Sequence, residues 1–311
     1  MPELSIIVVS YNTRALVEQC AESVAACLDG KLDYELIVVD NASSDGTPAW
    51  LRAYAETHAR VIAHCSDANL GFSGGNNAGL KLARGRYILY LNSDAYLLDD
   101  SVKAMIAHLD AHPDVGLGAC LLLDGRGESG PAYGHFPTAG ILAREVFTRR
   151  YNRLRAVCPP PGEGTHEVDF PCGAFFLIKG DLARKLGGMD ESFFLYFEET
   201  DLAKRARDLG FRCHYIGGAK AVHLGGQSTQ EVKSLRLVRM FYSNWRKYLL
   251  KHHGPLAAGL SRALLGFYFR MEVAQSGMRG NAKMHAYFKS HRQAMAEGWK
   301  EQAPDFRGAG N

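Results

Sequence analysis

Residues 4–40, LSIIVVSYNTRALVEQCAESVAACLDGKLDYELIVVD, decide how this chain folds. Leu4 to Ser10 is an apolar, β-branched run of strand length. TRALVEQCAESVAACL (13–28) then repeats its apolar residues at helical spacing, and YELIVVD (34–40) returns to strand chemistry. RVIAHC (60–65) predicts a third strand and YILYL (87–91) a fourth. Pro48 is placed to open the helix between the second and third strands. NLGFSGGNNAGLKLA (69–83) predicts a glycine-rich loop running into a helix. Such alternation argues for an open α/β sheet with helices on both faces, whose ligands sit beyond the carboxyl ends of the strands. Ser10, Tyr11, Asn12, Asp40 and Asp94 fall at those ends.

The chain has 311 residues, enough for one large domain with an extension or for two modest ones. Hydrophobic residues make up 47% and charged residues 22%, which argues against disorder. A net charge of +3 is too small to imply nucleic acid as a partner. Its distribution says more. From Thr229 onward there are 14 Lys and Arg against 5 Asp and Glu, a net +9 that leaves −6 for the preceding part. An acidic body with a basic tail suggests that the tail meets something anionic. The seven cysteines are scattered without a CxxC pair, which fits reduced thiols in a cytoplasmic protein better than disulfides or zinc. The opening MPELSIIVVSYN lacks the basic region and cleavage site of a signal peptide, and no apolar run reaches the roughly 18 residues of a membrane span.

Beyond VGLGACLLL (115–123) the alternation weakens. Asp124 to Val168 is rich in Gly and Pro and predicts a long loop region. GAFFLIKG (173–180) restores a strand, ETDLAKRARDLG (199–210) a helix, and FRCHYIG and KAVHLGG a short strand and turn. Near 226–230 the character changes to basic, aromatic and helix-forming. We therefore expect a first domain over 1–228 and a helical extension over 229–311.

Several residues could carry chemistry. YILYL ends in Asn92-Ser93-Asp94, which would suit either a turn or a carboxylate that grips a cation. Asp40 and Asp45 flank a turn that either could cap; yet Asp40 and Asp94 at neighbouring strand ends would suit a ligand's polar edge and a cation. The glycines Gly71, Gly74, Gly75 and Gly79 follow the third strand, so they form neither a dinucleotide fingerprint nor a phosphate loop. They suit a capped turn, or close backbone approach to a ligand with Asn76 and Asn77 in contact. In the helix of 199–210, Leu202, Ala206 and Leu209 define an apolar face that Glu198 and Glu199 straddle, as a partly desolvated general base would. Asp201 can pair with Arg205 at i+4 on the surface. His223, taken alone, is more often structural than a ligand.

Together these segments resemble family 2 glycosyltransferases of the GT-A fold. LSIIVVSYN, LIVVDNASSDGT, NLGFSGGNNAG, YLNSD, GAFFLIKG, GGMDESFFLYFEETDLAKRARDLGF and HLGGQS occur in the family's order from Leu4 to Ser228, with YSNWRKYLLKHHG as a weaker continuation. The likeness is greatest to the rhamnosyltransferase-like bacterial branch that builds surface polysaccharides. It implies an α/β/α sandwich with a mostly parallel mixed sheet. It also implies inverting transfer of a sugar from a nucleoside diphosphate, dTDP-rhamnose or a UDP-sugar, to an acceptor hydroxyl. By position, Asp40 would contact the base or ribose with Asp45 in support, and Asn69, Gly71 and Asn77 would line the donor pocket. Asn92 stands where the family's metal-binding motif has its first acid, so one charge is missing. Asp94, joined by His223, would bind Mg²⁺ or Mn²⁺ on the diphosphate. The acidic pair falls on Glu198-Glu199, which leaves the base open among Glu198, Glu199 and Asp201.

Two other readings compete. One is a nucleotide-sugar or glycan binding module that has lost catalysis and would need neither Asp94 nor Glu199. The other is a nucleotidyltransferase, which would want a glycine-rich basic signature where this chain has SYNTR. In the tail, Arg262, Arg270 and Glu272 interrupt the apolar stretch. It suits a basic amphipathic helix on an anionic membrane, or a helical subdomain packed on the first domain or on a second subunit. The acceptor would be a glycan or a lipid-linked glycan, and the latter would suit a cytoplasmic protein peripheral to the inner face of the plasma membrane.

Overall fold

The computed structural model describes residues 1–148, 157–225 and 235–300. Strand β1 (Leu4–Ser10), helix α1 (Arg14–Leu28) and strand β2 (Tyr34–Asp40) form the expected first unit. Helix α2 (Thr47–Thr57), with Pro48 in its first turn, leads to β3 (Val61–Cys65). Helix α3 (Gly71–Leu82) leads to β4 (Tyr87–Asn92). β1 pairs parallel with both β2 and β4, and β2 pairs parallel with β3. Every residue of β2 is buried, as a strand covered on both faces requires.

The glycine-rich segment is helix rather than loop from Gly71 onward. Gly79 explains why: a Cβ there would stand 2.5 Å from Cγ2 of Ile7, so a bare backbone lets α3 lie against β1. The strands ending at Asp40 and Asn92 are also not neighbours. β1 lies between them, opposite Asp40 through Ser10 and opposite Asn92 through Val9.

After Asn92, Ser93 and Asp94 turn the chain into β5 (Ala95–Leu97), followed by α4 (Val102–Ala111) and β6 (Val115–Leu123). The stretch 124–168 is not one long loop. It holds β7 (Tyr133–Gly134), α5 (Ala139–Thr148) and β8 (His166–Val168), the two strands being too short for an alternation to be readable. β9 (Phe170–Pro171), β10 (Phe175–Lys179), α6 (Gly180–Lys185), α7 (Glu198–Asp208) and β11 (Arg212–His223) follow. β11 is one long strand with an irregularity between Tyr215 and Lys220, where a short strand and turn were expected. Among the described residues the main sheet runs β3-β2-β1-β4-β10-β6-β11-β5, with β8 on β11. β10 is antiparallel to both its neighbours, so the sheet is mixed and mostly parallel.

Helix α8 (Leu235–Met278) and helix α9 (Ala282–Gly298) form the C-terminal hairpin. α8 breaks at Gly254, whose φ of 79° lies in the left-handed region, with Pro255 next. The boundary expected near 226–230 falls outside the described residues. The half of α8 before Gly254 packs into the α/β body, burying Tyr242, Trp245, Tyr248 and Leu249 in the common core. All seven cysteines are free thiols.

Candidate active site

The carboxyl ends of β1, β2 and β4 form one rim. Asp40, fully buried, accepts from the Ser43 amide at Oδ2 (3.1 Å), while its Oδ1 is buried with no protein partner among the described residues. Ser10 shares a 2.9 Å hydrogen bond with Thr13, which donates to Ser93 at 3.1 Å, tying the β1 end to the β4 turn. Tyr11 follows half-buried, and Asn12, with φ 52°, accepts from the Ser44 amide at 2.8 Å. Asp45 accepts from the Arg14 amide (2.8 Å) and from Thr47, so it joins the starts of α1 and α2. Burial would raise its pKa, but those hydrogen bonds outweigh it and hold the carboxyl below its usual range.

Much of the predicted donor pocket is occupied in holding loops. Asn69 accepts from Asn41 (3.0 Å) and from the Gly71 amide (2.9 Å). Asn41, buried and not singled out in the sequence, also donates to the Gly71 carbonyl and accepts from the Leu70 amide. Its one signal was the place directly after Asp40. Gly71 approaches Phe194 rather than open space, since a Cβ there would meet that ring at 2.5 Å. Asn77 exchanges two 2.8 Å hydrogen bonds with the Met189 backbone, which fixes the loop before α7.

Asp94 and His223 come together. β5 pairs antiparallel with β11, setting His223 opposite Ala95, and His223 Nε2 stands 3.4 Å from Asp94 Oδ1. Both are largely buried, and the Leu224 amide donates to the Asp94 carbonyl at 3.0 Å. Asn92, at the end of β4, keeps its Oδ1 buried without a partner among the described residues. Those residues contain no cluster of three or more His, Cys, Asp or Glu side chains able to hold a metal. Asp94 and His223 alone offer one carboxylate and one imidazole at a separation that neighbouring donors on one cation can have, given bonds of about 2.0–2.6 Å.

The acidic pair opens α7 on an unusual backbone. Tyr196 and Phe197 are both left-handed, at φ 76° and 75°, a conformation costly for bulky residues. Asn244 of α8 donates to the carbonyls of Leu195 (2.9 Å) and Tyr196 (3.2 Å), and Phe197 packs among Phe241, Trp245 and Tyr248. This turn buries Glu198, whose Oε2 has no partner among the described residues. Burial, then the neighbouring charge of Glu199, push the Glu198 pKa well up. Burial raises that of Glu199 to about 7. Glu199 also lines a cleft of about 280 Å³ whose other walls include His135, Phe170, Tyr196, Phe241 and Trp245.

Asp201 has a different fate. It is not in a surface ion pair: it is fully buried, and Arg205 reaches Oδ2 at 2.7 Å while Lys251 (2.6 Å) and His252 (2.7 Å) reach Oδ1. Burial opposes ionisation, yet the hydrogen bonds from His252 and Lys251 and the charge of Arg205 prevail and lower its pKa to about 2. A carboxylate held so low accepts protons poorly at neutral pH. Leu209, expected on the apolar face, is exposed at the end of α7.

The buried Cys172 thiol feels the charges of both acidic groups. Burial raises its pKa, as do the charges of Glu199, Asp94 and Glu198, so all three act on the same neighbourhood. The site thus brings together a buried carboxylate at the strand rim, a carboxylate–imidazole pair and a carboxyl beside an aromatic cleft. The profile described as "Glycosyl transferase family 2" matches residues 5–185, and the chain belongs to that family.

Among curated relatives, the chain is 24% identical over 284 residues to an N-acetylglucosaminyl-diphospho-decaprenol L-rhamnosyltransferase of Mycobacterium tuberculosis, covering 85% of this chain and 89% of that one. It is 36% identical over 111 residues to the succinoglycan biosynthesis protein ExoO of Rhizobium meliloti, covering 36% of this chain and 31% of that protein. The chain thus spans under a third of one relative and nearly nine-tenths of the other. Among solved structures it resembles the mannosyltransferase PcManGT from Pyrobaculum calidifontis in complex with GDP-Man and Mn²⁺, with TM-score 0.59 and 19% identity over 97% of this chain and 88% of that one. The sheet and its flanking helices are those of the GT-A fold.

Proposed function

We propose that this glycosyltransferase inverts the anomeric centre of a nucleoside-diphosphate sugar and delivers the sugar to an acceptor hydroxyl in the cleft beside Glu199, in the assembly of a bacterial glycan. The observation that carries this reading is Glu199, a carboxyl titrating at about 7 on the cleft wall. At that pKa a substantial fraction is ionised at neutral pH, yet the group is basic enough to take a proton from a hydroxyl as it attacks. Glu198 is buried and does not line the cleft, so we assign the base to Glu199 and a supporting role to its neighbour.

The orphaned Oδ1 of Asp40 supports a donor role, since a buried carboxylate oxygen is satisfied by an N–H or O–H from the base or ribose. Asp94 and His223 would hold Mg²⁺ or Mn²⁺, with further oxygens from diphosphate and water. When bound, the cation supplies positive charge against the departing diphosphate. The aromatic walls offer flat faces to an acceptor sugar. The related rhamnosyltransferase acts on a diphospho-decaprenol-linked sugar by its name, which favours a lipid-linked acceptor and dTDP-rhamnose among donors.

The deciding experiment screens GDP-, UDP- and dTDP-sugars for thermal stabilisation with and without Mn²⁺, then fixes the product anomer by NMR. Stabilisation that needs Mn²⁺ and a product of inverted configuration are expected. A donor bound equally well in chelator, or a retained configuration, would sink the proposal.

A further inference from the structure

The α8–α9 hairpin carries a face that the α/β body leaves uncovered. Along 255–278, Leu256, Leu260, Phe267 and Met278 fall within about 40° of one another around the helix. All four are exposed, Leu256 at 86% and Met278 at 82%. Ala258, Ser261, Leu265, Tyr268 and Phe269 occupy the opposite, buried side. Beside the apolar stripe runs a groove of about 760 Å³ between the two helices, lined by Arg262 and Arg270 of α8 and by Lys289 and Arg292 of α9. No acid lines it, and none of the four is ion-paired among the described residues. The one acid of 255–278, Glu272, lies about 160° from Leu256 around the helix. Glu297, the one acid of α9, pairs with Arg239 at 2.6 Å.

An apolar stripe beside four unneutralised cations complements one kind of surface in particular: hydrocarbon under a layer of phosphates. We propose that this face docks in the plane of a bilayer containing anionic phospholipid, with Leu256, Leu260 and Phe267 at the acyl boundary and the groove cations on lipid phosphates. A second copy of the chain fits less well, because two such faces would oppose eight like charges. No described helix is long and apolar enough to cross the membrane, which leaves in-plane attachment. The docking supplies the proposed transferase with acceptors carried by lipid, though it is measured without donor or acceptor.

The test is flotation of the full chain with phosphatidylcholine vesicles, with or without phosphatidylglycerol, at low and high salt. Binding should require phosphatidylglycerol and weaken with salt. Arg262→Gln with Lys289→Gln should reduce it roughly 25-fold, about fivefold per charge. Leu256→Asp with Phe267→Asp should abolish it, and both variants should keep the wild-type Tm and circular dichroism. Equal binding to neutral vesicles, or unchanged binding by both folded variants, overturns the proposal. So does full displacement by millimolar inorganic phosphate, which would assign the groove to a free anion. Sedimentation showing a dimer that Leu256→Asp dissolves, with no flotation, would give the face to a second subunit.

Discussion

His252 Nε2 and Asp201 Oδ1 stand 2.7 Å apart, so the C-terminal helix is fastened to the first turn of the helix that carries the acidic pair. Lys251 reaches the same oxygen at 2.6 Å. Breaking a buried, paired carboxylate leaves its cations uncompensated, and Asp201→Asn should cost about 3–5 kcal/mol in urea unfolding. The folded pKa of about 2 lies below the ordinary carboxyl value of 3.8, so the stability Asp201 contributes is complete above pH 4 and disappears as pH falls through 2. Unfolding midpoints followed from pH 5 to 2 should show that fall in the wild type and not in the variant.

Glu199→Gln should lower turnover by about 10²–10⁴-fold while donor affinity, read by calorimetry, stays unchanged. Wild-type kcat/KM should rise with pH through a limb near 7 as Glu199 loses its proton. Stability should move the other way. A carboxyl whose folded pKa is raised from 4.5 to about 7 favours the folded state below 4.5, and that contribution is lost as pH rises through 7. Glu199→Gln should therefore be more stable than wild type at pH 8. Full activity in this variant removes Glu199 as the base.

If Asp94 and His223 share a cation, His223→Ala should raise the Mn²⁺ concentration needed for donor-induced thermal stabilisation by about tenfold or more. Asp94→Ala should abolish that stabilisation. Unaltered Mn²⁺ titrations in both variants would exclude the pair as ligands.

Asn244 holds the left-handed turn at Tyr196 and Phe197 through two carbonyls. Asn244→Ala leaves both carbonyls short of a donor, and we expect a loss of about 1–3 kcal/mol. Because the turn aims Glu199, kcat should fall while donor affinity persists. Asn244→Asp, which cannot donate, should behave like the alanine variant.

Gly79→Ala tests the packing of α3. In an open helix this change is stabilising by about 1 kcal/mol. Here the new methyl would meet Ile7 at 2.5 Å, and overpacking should reverse the sign to a loss of about 1–3 kcal/mol. Chemical denaturation decides between the two.

The first half of the fold was legible because its strands are continuous β-branched runs and its helices are long enough to show their period. The pairing of β5 with β11, which sets His223 beside Asp94, joins residues far apart in sequence and leaves no periodic trace. Asp201 was misjudged for a related reason: its i+4 partner Arg205 is visible locally, whereas Lys251 and His252 arrive from a distant helix and convert an ordinary surface pair into a buried one. The glycines of α3 looked like a ligand loop because sequence shows flexibility, not what a Cβ would strike. Asp40 and Glu199 stood out as candidates by their places, at a strand end and at a helix start behind an aromatic run. Asn244 and the α8 wall of the cleft carried no such marker.

Gly254 divides α8 two residues after His252. On one side the helix grips Asp201; on the other it presents the exposed face of the hairpin. The two sides also meet away from that joint, where Glu297 returns to Arg239 at 2.6 Å and Phe269 packs on Tyr242. Lengthening the joint by a few glycines and breaking the Arg239–Glu297 pair would together loosen the acidic helix from the hairpin face. An enzyme so altered should retain transfer to a short water-soluble acceptor yet lose its orientation toward acceptors presented at a surface.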